Sequence, residues 1–132
     1  MSISIHHVAI AVHDIDAALT FYRDALGLEV AERCCMPEDD VEIARLPTDA
    51  GGLELVAPIG QENSTARFLK RRGEGLHHVC LETDDLEEAA ERLRASGAQL
   101  VGEKPRADHD RPQLVFVHPR DAHGVLLELY EA

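Results

Sequence analysis

Two residue types that bind metals recur in matched positions along this chain. His7 and Glu54 stand 47 residues apart, and His78 and Glu128 stand 50 apart. Two imidazoles and two carboxylates can hold a divalent cation and leave positions open for substrate oxygens. The set does not choose among Co2+, Mn2+, Ni2+ and Zn2+. Strand parity separates these four from the rest of the 8 histidines and 25 acids. Alternate side chains of a strand point to opposite faces. Val8, Ile10 and Val12, with His6, are expected to pack on the following helix, so His7, Ala9 and Ala11 share the other face, where two small residues leave room for a ligand. In the same way Val79 and Leu81 face a helix and leave His78 and Cys80 opposite. Leu53-Glu54-Leu55 and Leu127-Glu128-Leu129 each bury two leucines and turn the acid away. Taken singly, a strand histidine is more commonly a hydrogen-bonded core or surface residue, and a Glu between leucines is the solvent face of a half-buried strand. Recurrence of the arrangement carries the metal reading. Of the other histidines, His6 and His77 are expected at the core edge and His13 exposed at a strand end. His109, His118 and His123 fall near loops flanking the last two strands.

The elements that position these residues also come twice. Shifting the sequence by 71 residues lays His7-Val8-Ala9-Ile10 on His78-Val79-Cys80-Leu81, Asp14 on Asp85 and Ala18 on Ala89. Each copy opens with an alternating strand, Ile3–His13 and Leu76–Thr83. A helix follows: Ile15, Ala18, Leu19, Tyr22 and Leu26 recur at helical spacing in the first copy, Leu86, Ala89, Ala90 and Leu93 in the second. Asp14 and Asp85 suit N-caps, Asp85 with Glu88 as a capping box, and Gly27 and Gly97 suit the position after the C-cap. Three strands then follow, about Glu29–Cys34, Val41–Leu46 and Gly52–Ala57 in one copy and about Gln99–Glu103, Gln113–His118 and Val125–Tyr130 in the other. The expected fold is α+β: two tandem βαβββ modules, residues 1–60 and 74–132 of a single domain 1–132, forming a curved mixed sheet around a metal-binding cleft. A linking helix within 63–73, read as Ser64–Arg72 with Ser64 as a cap, joins them.

The 132-residue length bounds the chain to one domain or two fused half-units. The formal charge of −12 argues against general binding to nucleic acid or anionic membrane. With no Trp, 3 Phe and 2 Tyr, a base-stacking platform is not expected. The apolar fraction of 45% supplies a core. No run reaches the length of a membrane span, and Met1–Ile5 reads as a strand rather than a signal peptide. Cys34, Cys35 and Cys80 are odd in number and two are adjacent, so reduced thiols in a cytoplasmic protein are expected.

The paired units with His7, Glu54, His78 and Glu128 resemble the vicinal oxygen chelate superfamily, with its glyoxalase-like fold. Within it, His7–Val12, Phe21–Asp24, Leu26–Val30, Leu53–Pro58, Gly73–His78, His118–Asp121 and Gly124–Leu129 resemble the methylmalonyl-CoA epimerase family nearly end to end. The resemblance implies His7, Glu54, His78 and Glu128 as ligands of a divalent metal, and an acyl-CoA substrate. It implies epimerisation between the (R) and (S) forms of methylmalonyl-CoA by 1,1-proton transfer through a metal-stabilised enolate, and a homodimer. The family's Pro-Glu-x-Gly-Val stretch aligns with Pro37–Val41 and assigns proton chemistry to Glu38, shared with Glu128. An alternative for the acidic stretch Glu38–Glu42 is a solvated loop. Asp40 stands where the family has glycine, His123-Gly124 where it has Gly-Gly, and Arg106–Arg111 in place of a glycine-rich loop. Arg67, Lys70, Arg71, Arg72, Lys104, Arg106, Arg111 and Arg120 make 8 of the 13 basic residues and could meet the carrier phosphates; Arg71 and Arg72 could equally just finish a helix. Other readings of the same fold are a glyoxalase I-type isomerase acting on a glutathione hemithioacetal and a metal-free small-molecule-binding resistance protein. A ring-cleaving dioxygenase fits less well, because its iron normally takes two histidines and one carboxylate.

Overall fold

A computed structural model describes residues 1–104 and 114–131. It divides into two compact units, His7–His77 and Met1–His6 with His78–Ala132, so the boundary passes between the paired histidines of two strands, β1 (Ile3–Ala11) and β5 (Gly75–Thr83).

In the first unit the strand order is β2-β3-β4-β1. β2 (Glu32–Met36) and β3 (Val41–Pro47) are antiparallel, as are β3 and β4 (Gly52–Pro58), while β4 runs parallel to β1 with Ala9 opposite Glu54. Helix α1 (Ile15–Leu19) starts where expected: the Asp14 carboxylate accepts from Asp16 N at 2.8 Å and Ala17 N at 3.5 Å. After Leu19 the helix widens into a π-helical stretch, Thr20–Ala25, in which Leu26 N donates to Phe21 O. This widening takes Leu26 off the apolar stripe that regular spacing assigned it, leaving it exposed, and Leu28 packs on the core instead. Ile15, Leu19, Leu46 and Leu55 are almost fully buried in that core. Each such side chain stabilises the fold by about 1.5–3 kcal/mol relative to exposure.

Parity holds on both faces, with one amendment. Ile10, Val12, Leu53 and Leu55 pack beneath α1 as expected. The opposite face is not open around the small residues, because Ala9 is closed over by Val41, Ile43 and Val56, with Cys34 and Met36 at the edge. Ala9 and Ala11 are fully buried, so the room expected beside His7 is occupied by a second small core.

The second unit repeats the topology as β5-β8-β7-β6. β5 is parallel to β8 (Leu127–Glu131), with Cys80 opposite Glu128, and β8, β7 (Leu114–Val117) and β6 (Leu100–Lys104) are antiparallel neighbours. Helix α3 (Leu86–Ala95) covers Val115, Val117 and Leu129. The Asp85 carboxylate accepts from Glu88 N at 3.0 Å, but the reciprocal half of a capping box goes elsewhere: Asp85 N donates to the Thr83 hydroxyl at 3.1 Å. Gly27 and Gly97 both have the positive φ expected of residues that end a helix.

Helix α2 (Ser64–Arg72) spans the residues expected, but its cap is Asn63, not Ser64. The Asn63 amide oxygen accepts from Ala66 N at 2.8 Å and its nitrogen donates to Asp40 O at 2.9 Å. An amide can do both at once, where a serine one residue later would lie inside the helix. Asn63→Ala is therefore expected to cost about 1–2 kcal/mol in urea unfolding, and Ser64→Ala within about 0.5 kcal/mol. Equal effects would return the cap to Ser64.

Candidate metal centre

The two histidine–glutamate pairs predicted from parity are formed, each within its own unit. His7 Nε2 lies 3.5 Å from Glu54 Oε2, with side chains 12% and 9% exposed. His78 Nε2 lies 3.1 Å from Glu128 Oε2, with side chains 10% and 14% exposed. In each unit the residue two places after the histidine, Ala9 or Cys80, is the register partner of the glutamate, so one backbone pattern aims both pairs. Two ligand atoms about 2.1 Å from one ion and 90–109° apart stand about 3.0–3.4 Å from each other. The 3.1 Å separation falls inside that span and the 3.5 Å one just above it, and imidazole with carboxylate is an accepted donor set for a divalent first-row ion. His7 and Glu54 thus form part of a candidate His/Glu metal site.

Glu38 sits on the exposed β2–β3 turn, apart from the secondary structure that holds the pairs. That turn is built tightly. Asp39 N donates to Met36 O, and Asp40 O accepts from both Ile59 N and Asn63 Nδ2. Asp40, at φ 54°, and His123, at φ 56°, are the non-glycine residues with positive φ among those described. Both are positions at which the family resemblance leads one to expect glycine, and both take the left-handed conformation that glycine adopts freely.

The remaining histidines divide as parity suggested. His6 packs edge-on against Tyr130 and His77 edge-on against Phe68, both half-buried, while His13 is exposed. His118 caps a short 3-10 turn, its Nδ1 accepting from Arg120 N at 3.0 Å. His109, Arg106 and Arg111 lie outside the described residues, as does the side chain of Lys104. In α2, Lys70, Arg71 and Arg72 occupy the last turn, and the Arg72 guanidinium lies 5.6 Å above the centre of the Phe68 ring.

Two residues next to the pairs were missed. Arg45 is the register partner of Glu54, and its Nε lies 3.6 Å from Glu54 Oε2 while Nη1 donates to Glu32 at 2.6 Å. Part-burial works against the Arg45 charge, but Glu54 and Glu32 outweigh it and raise its basicity. Phe116 is the corresponding partner of Glu128, its ring edge-on to His78 at 6.4 Å. Parity puts both on the face of the pairs, since Arg45 alternates with buried Ala44 and Leu46, and Phe116 with buried Val115 and Val117, but their position opposite the glutamates needs the register. Close by, burial, with a smaller push from Glu32, raises the pKa of the Cys34 thiol, which disfavours a reactive thiolate.

Eight strands and three α-helices among the described residues, with the twice-built His–Glu pair, fit a known class: the chain belongs to the Glyoxalase/Bleomycin resistance protein/Dioxygenase superfamily, whose model matches residues 6–116, and its fold is the α+β glyoxalase-like fold. Within that superfamily it is similar to epimerases of acyl-CoA thioesters. It is 38% identical over 128 residues to the ethylmalonyl-CoA/methylmalonyl-CoA epimerase of Cereibacter sphaeroides, covering 95% of each chain. It is 35% identical over 129 residues to the mitochondrial methylmalonyl-CoA epimerase of Bos taurus, covering 97% of this chain and 74% of that one. Among solved structures, a Streptomyces coelicolor methylmalonyl-CoA epimerase variant in complex with 2-nitronate-propionyl-CoA superposes with a TM-score of 0.86 at 34% identity, covering 98% of this chain and 96% of the other. Among the described residues no helix is long and apolar enough to cross a membrane.

Proposed function

We propose that this chain is a metal-dependent epimerase that interconverts the (R) and (S) forms of methylmalonyl-CoA. The reading is supported by the repeated His–Glu geometry in a chain similar, nearly end to end, to such epimerases. His7, Glu54, His78 and Glu128 would hold a divalent ion, which when bound supplies Lewis-acid polarisation of the substrate oxygens and makes the neighbouring C–H more acidic. The chain's own residues must then move the proton. Inversion needs a base on one face of the carbon and an acid on the other, and two carboxylates can exchange those roles between the forward and reverse directions. Glu38 and Glu128 take those roles. Arg71 and Arg72, in the last turn of α2, would meet the carrier phosphates.

Wash-in of deuterium tests the reading. Metal-loaded protein with methylmalonyl-CoA in heavy water is expected to label the carbon between thioester and carboxylate and to racemise it. The Arg71→Ala/Arg72→Ala variant is expected to raise KM by about 10-fold with kcat little changed. No label and no racemisation by protein holding stoichiometric metal would overturn the assignment. Turnover of a glutathione hemithioacetal instead would move it to the glyoxalase I class.

A further inference from the structure

The two units supply an internal comparison at the pairs themselves. Each glutamate faces one residue across the antiparallel ladder: Phe116 opposite Glu128, and Arg45 opposite Glu54. The Phe116 position shows that the local fold needs no cation there. In the other unit Arg45 is held in place by Glu32, and its Nε approaches Glu54 Oε2, the oxygen that also faces His7. A fixed guanidinium beside a carboxylate lowers that carboxylate's attraction for any second cation, and the effect persists at a half-exposed site because the two groups are in contact.

We infer that Arg45 is a positioning residue that acts through Glu54 to weaken the hold of the His7–Glu54 pair on a divalent cation. The inference rests on the metal reading above. Glu54 Oε2 lies 3.6 Å from Arg45 Nε, so an arriving ion shares that oxygen with a guanidinium already there. The first pair is therefore the looser half of the ligand set, and the second, backed by Phe116, the tighter.

The test is the Co2+ dissociation constant of the full-length protein, by competition with a fluorescent chelator, for wild type, Arg45→Met, Arg45→Phe and Arg45→Lys. Arg45→Met and Arg45→Phe, the latter copying the other unit, are expected to bind Co2+ about 10-fold more tightly, and Arg45→Lys within about 3-fold of wild type. The visible Co2+ spectrum is expected to keep its band positions, because no ligand changes. A side chain with a merely structural role would leave affinity unchanged or weaken it. If wild type binds one Co2+ and both uncharged variants bind no more tightly, the inference fails and the metal reading stands. If neither wild type nor any variant binds Co2+, both fail together.

Discussion

Glu38→Gln is expected to lower kcat for epimerisation by at least about 100-fold while leaving the metal bound. A carboxylate that takes and returns a proton in the transition state contributes about 100- to 10,000-fold, and the isosteric amide cannot do so. The substitution removes only that capacity, because Glu38 is exposed and its turn is pinned by backbone atoms: Met36 O accepts from Asp39 N, and Asp40 O accepts from Ile59 N. Metal content and unfolding midpoint are therefore expected to match wild type. The two-base reading also predicts a particular residue of activity. With Glu128 intact, the variant should still exchange the proton of one enantiomer with heavy water faster than it inverts the centre. Unchanged kcat would make Glu38 a solvated loop residue, and equal loss of exchange from both enantiomers would remove the assignment of one face to each carboxylate.

Asp40 shows why such an assignment was legible in part. The alignment of Pro37–Val41 with a glycine-containing motif pointed to Glu38, and the aspartate in place of glycine left the backbone open. The structure gives Asp40 the left-handed conformation, at φ 54°, that glycine takes freely and that Asp tolerates better than most residues. Asp14 and Asp85 were readable as caps because a cap is a local interaction, two or three residues long. His7 and Glu54 were readable as a pair because parity is local too, and its recurrence at His78 and Glu128 tied the two strands of each unit together. Arg45 was not, since its closeness to Glu54 depends on the β3–β4 register, a property of two strands and the turn between them. Asn63 was passed over for Ser64 because its advantage lies in a second bond, to Asp40, 23 residues away. The buried Ala9 follows the same logic: small residues leave space only if nothing bulky comes from neighbouring strands, and Val41, Ile43 and Val56 do.

The second large effect separates two glutamates that the fold treats alike. With the proposed ligand set, Glu54→Gln and Glu128→Gln each trade a charged ligand for a neutral one at an equivalent register position, and each is expected to weaken divalent-ion binding by about 10- to 100-fold. Their kinetics should diverge once metal is supplied in excess. At saturating metal, Glu54→Gln is expected to recover kcat to within about 10-fold of wild type, because Glu54 only holds the ion. Glu128→Gln is expected to stay at least about 1,000-fold down, because it has also lost the acid–base group for one face of the carbon. The environments point the same way. Glu54 Oε2 already lies 3.6 Å from the Arg45 guanidinium, whereas the register partner of Glu128 is the uncharged Phe116. A guanidinium beside a carboxylate competes with a substrate proton for its oxygens, so the glutamate that faces no arginine across the ladder is the better place for a base. Equal recovery of the two variants in excess metal would make Glu128 a ligand only and leave the second proton-transfer role to another residue.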